Sequence, residues 1–423
     1  MMLALSAVEG LLALLVLVQA SPVERWLAEP DPARRKTMLA EIKGTPAEVE
    51  AELRRAPARG ADVPKGLVRK RLKADHPLAV EFEYVLLVPA AYAPERPWRL
   101  LVDLHGQSGT GDDALKRWRA DLERDGETFL LGPSAGRGGW GRSLLGHAYV
   151  LGAMRDVMAT YRIDPDLVFL DGASMGGNGS FQFACTYPDL FAGAAPRSGG
   201  PFFRYLPQPP GMKERPVKAE GIENLAATPV YWTVGARDPD LPNAWVKTAV
   251  AQMQALKLDL VFREHPEGGH EWFPEENARV LEWMKPKRRH PYPPKVAVYT
   301  FDRRFARNFW LEVSEFRGKE SVMRGFPDLQ NKPIEERAVF ADEIQVRAEI
   351  VPDANEIKVT ASGAREIRLW LHERMVDFGK PLTVTLNGAR SKHELKPSTA
   401  ALLDSALRDR GLLYSASLKL KVP

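Results

Sequence analysis

Cysteine is nearly missing from this chain. Of 423 residues only Cys185 is one, so no disulfide can close within it. Cys185 falls in an apolar helical pattern and reads as a small core residue. Excess charge is missing too. The formal net charge is +4 and the basic residues are dispersed, so no nucleic-acid partner is expected. Metal-ligand patterns are absent: there is no His-Glu-x-x-His, no facial-triad spacing and no cysteine pair. No metal is therefore expected. Long apolar runs are lacking beyond the N-terminus, so no membrane span is expected after it. There is no internal repeat, and nothing in the pattern sets an oligomeric state.

The N-terminus does hold an apolar run, Leu11 to Val18, followed by Gln19-Ala20-Ser21-Pro22. Val18-Gln19-Ala20 fits the small-residue pattern of a cleavage site. Glu9 interrupts the run and no positive charge precedes it. The reading is a signal peptide over 1–20 and a secreted or periplasmic protein. Residues 21–75 read as a helical extension, packed on or tethered to the main domain. Thr45-Pro46-Ala47-Glu48 there is a capping box with proline at the first helical position.

From 76 to 285 strand and helix patterns alternate, which implies an α/β architecture with a mostly parallel sheet. The insert 198–228 is rich in Pro and Gly and without clear period, the mark of an excursion over a site. Residues 286–294, rich in proline, read as a linker. Residues 295–423 read as a β-rich, immunoglobulin-like sandwich. Asn387-Gly388 is a hairpin turn signal, and one helix, about 397–408, interrupts the strands.

The chain is organised around Leu167-Val168-Phe169-Leu170-Asp171-Gly172-Ala173-Ser174-Met175-Gly176-Gly177. An apolar run ends in G-x-S-x-G and a helical pattern follows, which is the strand–turn–helix of a nucleophile elbow. Gly172 and Gly176 flank the serine because strand and helix pack too closely there for a Cβ. A serine hydroxyl is a poor nucleophile at neutral pH and needs a base, itself oriented by an acid. Asp238 follows the strand 229–234, and His270 follows the strand 258–262. Ends of parallel strands share one edge of the sheet, so Ser174, Asp238 and His270 should converge there. Asp240 competes with Asp238, and His265 with His270. Asp238 lies nearer its strand end, and His270 lies in a Gly-Gly-His loop able to reach over the edge. The oxyanion donors expected are the Met175 N–H and one from the loop after the strand 100–104, Gln107 first and Gly106 second. His105, Trp140 and Trp272 are candidates for the substrate pocket, although His105 also reads as structural. Phe202, Phe203 and Tyr205 line either the cleft or the core of the insert. Gly136 to Gly141 matches G-x-G-x-x-G, but it does not open a helix directly after a first strand, which argues against a dinucleotide site.

Tyr84-Val85-Leu86-Leu87-Val88-Pro89, Leu101-Val102-Asp103-Leu104-His105-Gly106, Tyr161-Arg162-Ile163-Asp164-Pro165, Gly172-Ala173-Ser174-Met175-Gly176-Gly177 and Gly268-Gly269-His270-Glu271-Trp272 carry a resemblance. In these stretches the chain resembles the α/β-hydrolase superfamily. More narrowly, it is similar to the branch with feruloyl esterases, acetylxylan esterases and polyhydroxybutyrate depolymerases. The resemblance covers about residues 79–285. It implies an α/β-hydrolase fold and a cofactor-free serine carboxylester hydrolase with a Ser-Asp-His triad. The implied substrate is a small-molecule or polysaccharide-linked ester, acyl or feruloyl. A prolyl-oligopeptidase-like serine peptidase and an inactive hydrolase-fold binding protein are the rival readings.

Overall fold

The computed structural model describes residues 21–55, 62–135, 139–140, 143–205, 216–327, 333–340, 342–408 and 411–423. The expected signal peptide therefore lies outside the described residues, as does most of the Gly136–Gly141 stretch. Among the described residues no helix is long and apolar enough to cross a membrane.

Among the described residues three short helices come first: α1 (Pro22–Ala28), α2 (Pro32–Met38) and α3 (Pro46–Leu53). The α3 start is the capping box read in the sequence. Thr45 accepts from the Glu48 N–H, and Glu48 accepts from the Thr45 N–H. The helical extension ends there. Residues 66–73, expected within it, form instead strand β1 (Gly66–Lys73), antiparallel to β2 (Glu81–Val88). The Leu67-Val68-Arg69-Lys70-Arg71-Leu72 run is too charged to signal a strand alone. Pairing along the edge of an existing sheet supplies the backbone partners that make it one.

The main sheet continues with β3 (Trp98–Leu104), β4 (Thr128–Pro133), β5 (Ile163–Ala173) and β6 (Gly193–Arg197). A small antiparallel pair, β7 (Phe203–Tyr205) and β8 (Pro216–Ala219), stands apart in the insert. The side chains of Phe203 and Tyr205 are not among the described ones. Strands β9 (Val230–Gly235) and β10 (Leu260–His265) complete an eight-stranded sheet of order β1-β2-β4-β3-β5-β6-β9-β10. Its last six strands run parallel. Helices α4 (Asp112–Asp125), α5 (Leu144–Thr160), α6 (Met175–Thr186) and α7 (Asn243–Ala255) lie between successive strands, and α8 (Asn277–Met284) follows β10. Apolar residues of α5, α6 and α7 pack on one face, and those of α4 and α8 on the other. Covered on both sides, β3 and β4 are buried along their whole length.

The segment 286–294 is pinned rather than loose. Arg289 is buried, pairs with Asp166 at 2.7 Å and donates to the Asp189 carbonyl at 2.6 Å. After it come β11 (Lys295–Thr300), β12 (Arg307–Asn308), β13 (Leu311–Phe316), β14 (Glu320–Pro327), β15 (Pro333–Phe340), β16 (Ile344–Val351), β17 (Glu356–Ser362), β18 (Ala364–Leu371), β19 (Leu382–Leu386), β20 (Ala389–His393), helix α9 (Thr399–Ala406) and β21 (Ala416–Lys421). A five-stranded and a four-stranded sheet enclose one apolar core. Asn387 and Gly388, both at positive φ, turn β19 into β20.

The N-terminal helices have their described apolar contacts at the other end of the chain. Val23, Trp26 and Val49 bury against Leu402, Leu403 and Leu413. Beside this contact His372 donates from Nε2 to Glu50 at 2.9 Å, and Arg54 binds Glu50 at 2.7 Å. Burial opposes the Glu50 charge, but the bonds from His372 and Arg54 outweigh it and hold the carboxyl at about 2. A carboxyl so depressed stabilises the fold above its free value and stops doing so as it is protonated. Wild type and Glu50→Gln should therefore differ in melting temperature at neutral pH. Below about 4.5 the two should converge, down to about 2. A constant gap in melting scans across that range would disprove the contribution.

Candidate active site

The site forms where β3, β5, β9 and β10 end. Ser174 sits between β5 and α6 at φ 60°, ψ −121°. That strained backbone is the elbow. The flanking glycines are explained by contact. A Cβ on Gly176 would lie 1.8 Å from the Leu104 carbonyl oxygen, and one on Gly172 2.6 Å from the same atom. Gly176→Ala should therefore lower the urea midpoint, by an overpacking cost of about 1–3 kcal/mol. A midpoint unchanged from wild type would show that the elbow has slack.

His270 Nε2 lies 2.7 Å from Ser174 Oγ. His270 Nδ1 lies 2.9 Å from Asp238 Oδ2. Asp238 is buried, and its Oδ1 also accepts the Asp240 and Leu241 N–H groups at 2.8 and 3.1 Å. The structure thus brings Ser174, His270 and Asp238 together. The competing residues take no part in that chain of hydrogen bonds. Asp240 Oδ2 is 3.8 Å from His270 Nε2, on a side chain 72% exposed. His265 stacks on Phe273 at 4.3 Å and faces Glu275 and Glu276.

Met175 opens α6, and Ser174 places no side-chain cap over the first-turn amides. Gly106 passes close to the elbow, since a Cβ on it would lie 3.7 Å from Ser174 Cβ. Gln107 is exposed on the same loop.

The three pocket candidates all make contacts that brace loops around the site. His105 is buried, with Nε2 accepting the Ala135 N–H at 2.9 Å. Nδ1 must then carry the proton, which it donates to the Gly106 carbonyl at 2.6 Å. Burial lowers the His105 pKa and keeps the ring neutral. Because a peptide is planar and trans, holding the Gly106 carbonyl also fixes the direction of the Gln107 N–H. Trp140 is buried, packs edge-on to His105, and donates from Nε1 to its carbonyl at 2.7 Å. Two guanidinium groups lie over the Trp272 ring, Arg197 at 3.8 Å and Arg117 at 4.6 Å from its centroid. His105 and Trp140 spend their polar edges on bracing a loop, whereas the partly buried Trp272 is braced through its ring face and its Nε1 has no protein partner among the described residues.

A buried charged layer beneath the elbow was missed in the sequence. Asp103 and Asp171 are neighbours across β3 and β5, and both are buried. Asp103 pairs with Arg117 and accepts from Trp118 Nε1 at 3.0 Å. Asp171 pairs with Arg197 at 3.0 Å. Burial pushes the Asp171 carboxyl up, against the pull of Arg197. The signal was present: a charged residue inside an otherwise apolar strand needs a buried partner. The partner's identity was not readable.

Among the described residues, two groups have donor atoms close enough to share a metal ion: Asp238, Asp240 and His270, and Glu50, His372 and Glu373. In the first, both histidine nitrogens are already engaged by Asp238 and Ser174. In the second, His372 binds Glu50 through Nε2 and accepts the Arg374 N–H at Nδ1.

A parallel sheet with the elbow after β5, an aspartate after β9 and a histidine after β10 decides the architecture. This is the α/β-hydrolase fold. The second body beside that hydrolase core is the β-sandwich-like unit of residues 295–421. No family model matches the chain. It is 47% identical over 58 residues to poly(3-hydroxyalkanoate) depolymerase C of Paucimonas lemoignei, covering 14% of each. It is 27% identical over 128 residues to feruloyl esterase C of Emericella nidulans, covering 28% of this chain and 46% of the relative. The matches thus span less than half of either relative's length. Both names fall in the branch that the motifs resemble. The solved structure of a thermostable esterase overlays with a TM-score of 0.43 and 23% identity, covering 53% of this chain and 63% of the other.

Proposed function

We propose that the hydrolase core is a serine carboxylester hydrolase acting through an acyl-enzyme. The observation that carries this reading is the unbroken chain from Ser174 Oγ through His270 to Asp238, at 2.7 and 2.9 Å. Ser174 attacks the ester carbonyl while His270 Nε2 takes its proton. The same imidazolium then protonates the departing alcohol, and Asp238 holds the ring and stabilises its charge. The N–H groups of Met175 and Gln107 receive the developing oxyanion, with Gly106 as the second choice on that loop. Water, activated by His270, clears the acyl group.

The substrate class is an acyl or feruloyl ester, free or carried on polysaccharide. The names of the curated relatives and the motif resemblance support that class. Export through the N-terminal apolar run belongs to the same proposal. A panel of methyl ferulate, 4-nitrophenyl acetate and peptide amides tests it. Ester turnover with inert amides is expected. Exclusive amide cleavage would favour a peptidase and overturn the ester reading. No labelling of Ser174 by a fluorophosphonate would overturn the catalytic one.

A further inference from the structure

Arg197 ends β6 directly beside the elbow. Its backbone carbonyl accepts the Ser174 N–H at 3.0 Å. Its side chain has no exposed surface and reaches acceptors on both sides of the site, the Trp272 carbonyl at 3.5 Å among them. Nη2 binds Asp171, three residues before the nucleophile, at 3.0 Å. Nη1 binds Asn277 Oδ1 at 2.7 Å and the Phe273 carbonyl at 3.2 Å. The guanidinium carbon lies 3.8 Å from the Trp272 ring centroid, over its face. The next residue acts in the same direction: Ser198 Oγ donates to the Glu271 carbonyl at 2.7 Å. Glu271, Trp272 and Phe273 immediately follow His270. Phe273 itself sits at φ 55°, a conformation that its own backbone disfavours and that outside contacts must hold.

We propose that Arg197 is a positioning residue that ties the base-bearing loop to the nucleophile elbow, with Ser198 as its second point of attachment. One residue touches both halves of the reacting pair, the serine through its main chain and the histidine loop through its side chain. The Ser174–His270 separation is then set by a single rigid group instead of by two loops moving independently. A guanidinium suits this task because its planar fork can serve several acceptors at fixed angles while stacking on an indole. Lysine offers one point of charge and cannot hold Asp171, Asn277 and the Phe273 carbonyl together.

This inference rests on the serine-nucleophile reading but not on the choice of ester. Its test is the rate at which a fluorophosphonate labels Ser174, followed against pH, in wild type, Arg197→Lys and Ser198→Ala. Melting curves and 4-nitrophenyl acetate kinetics accompany each variant. In Arg197→Lys the labelling rate and kcat should fall about 10²-fold, the expected effect of an ångström-scale misplacement. KM should stay near wild type, and the apparent base pKa read from the pH profile should shift. Ser198→Ala, which removes one hydroxyl, should lose several-fold in the same two rates. It decides the matter if the lysine variant does not fold. A merely structural arginine would lower the melting temperature and leave the labelling rate below it unchanged; that result overturns the proposal. Wild type that is labelled without turning over any ester would count against the ester reading alone. Wild type that is not labelled would remove the basis of both.

Discussion

Ser174→Ala should lower ester turnover by about 10⁶-fold, with the protein still folded. The side chain removed is one hydroxyl at a half-buried position. Alanine meets the same strained elbow backbone as serine, so the fold loses little. Chemistry loses its attacking atom, and the proton relay through His270 then has nothing to activate. What remains is stabilisation by the oxyanion donors and the fixed placement of substrate, worth roughly 10³–10⁴-fold over water. Steady-state hydrolysis of 4-nitrophenyl acetate, with circular dichroism as the folding control, measures this. Activity within a hundredfold of wild type would mean that another group is the nucleophile.

Asp238→Asn should lower kcat by about 10⁴-fold with little change in KM. The asparagine oxygen can still accept the Asp240 and Leu241 N–H groups, so the turn survives. Its amide nitrogen then faces His270 Nδ1. That ring atom must become an acceptor, which places the proton on Nε2, opposite Ser174 Oγ. A protonated Nε2 cannot serve as base. Asp240→Asn provides the contrast. Its carboxylate is exposed and 3.8 Å from the ring, and its loss should change rates only a few-fold, because solvent screens it. If the Asp240 variant were the more damaged of the two, the orienting acid would have been misassigned. Measured together, the pair separates orientation of the imidazole from general negative charge near it.

Much of the site was legible because it is local or follows from topology. The elbow shows in eleven consecutive residues, since strand, turn and helix each leave their own pattern there. Alternating strands and helices imply a parallel sheet, and parallel strands end on one edge. Asp238 and His270 could thus be placed near Ser174 without a contact being known. The Thr45 capping box and the Asn387-Gly388 turn were equally readable, because each is complete within four residues or fewer.

Other features depended on partners far away in the chain. For His105, Trp140 and Trp272 the sequence leaves pocket and support open, because aromatic and imidazole side chains near a nucleophile suit either purpose. Only the packing shows that His105 spends both ring nitrogens on Ala135 and Gly106, and that Trp272 is stacked against two arginines. The strand Gly66–Lys73 was hidden because its partners are backbone groups of β2, not its own side-chain pattern. The docking of the first helices on Leu402 and Leu403 joins positions more than 350 residues apart, which no local period encodes.

By itself, then, the sequence determined the chemistry on offer: a strained serine between close-packed glycines, and an acid and a histidine after later strands. It could do so because backbone sterics and strand order act over short windows or through topology. Tertiary structure alone decided which side chains face the reaction and which hold up its loops. Burial and hydrogen-bond geometry, on which that choice rests, are properties of neighbours in space.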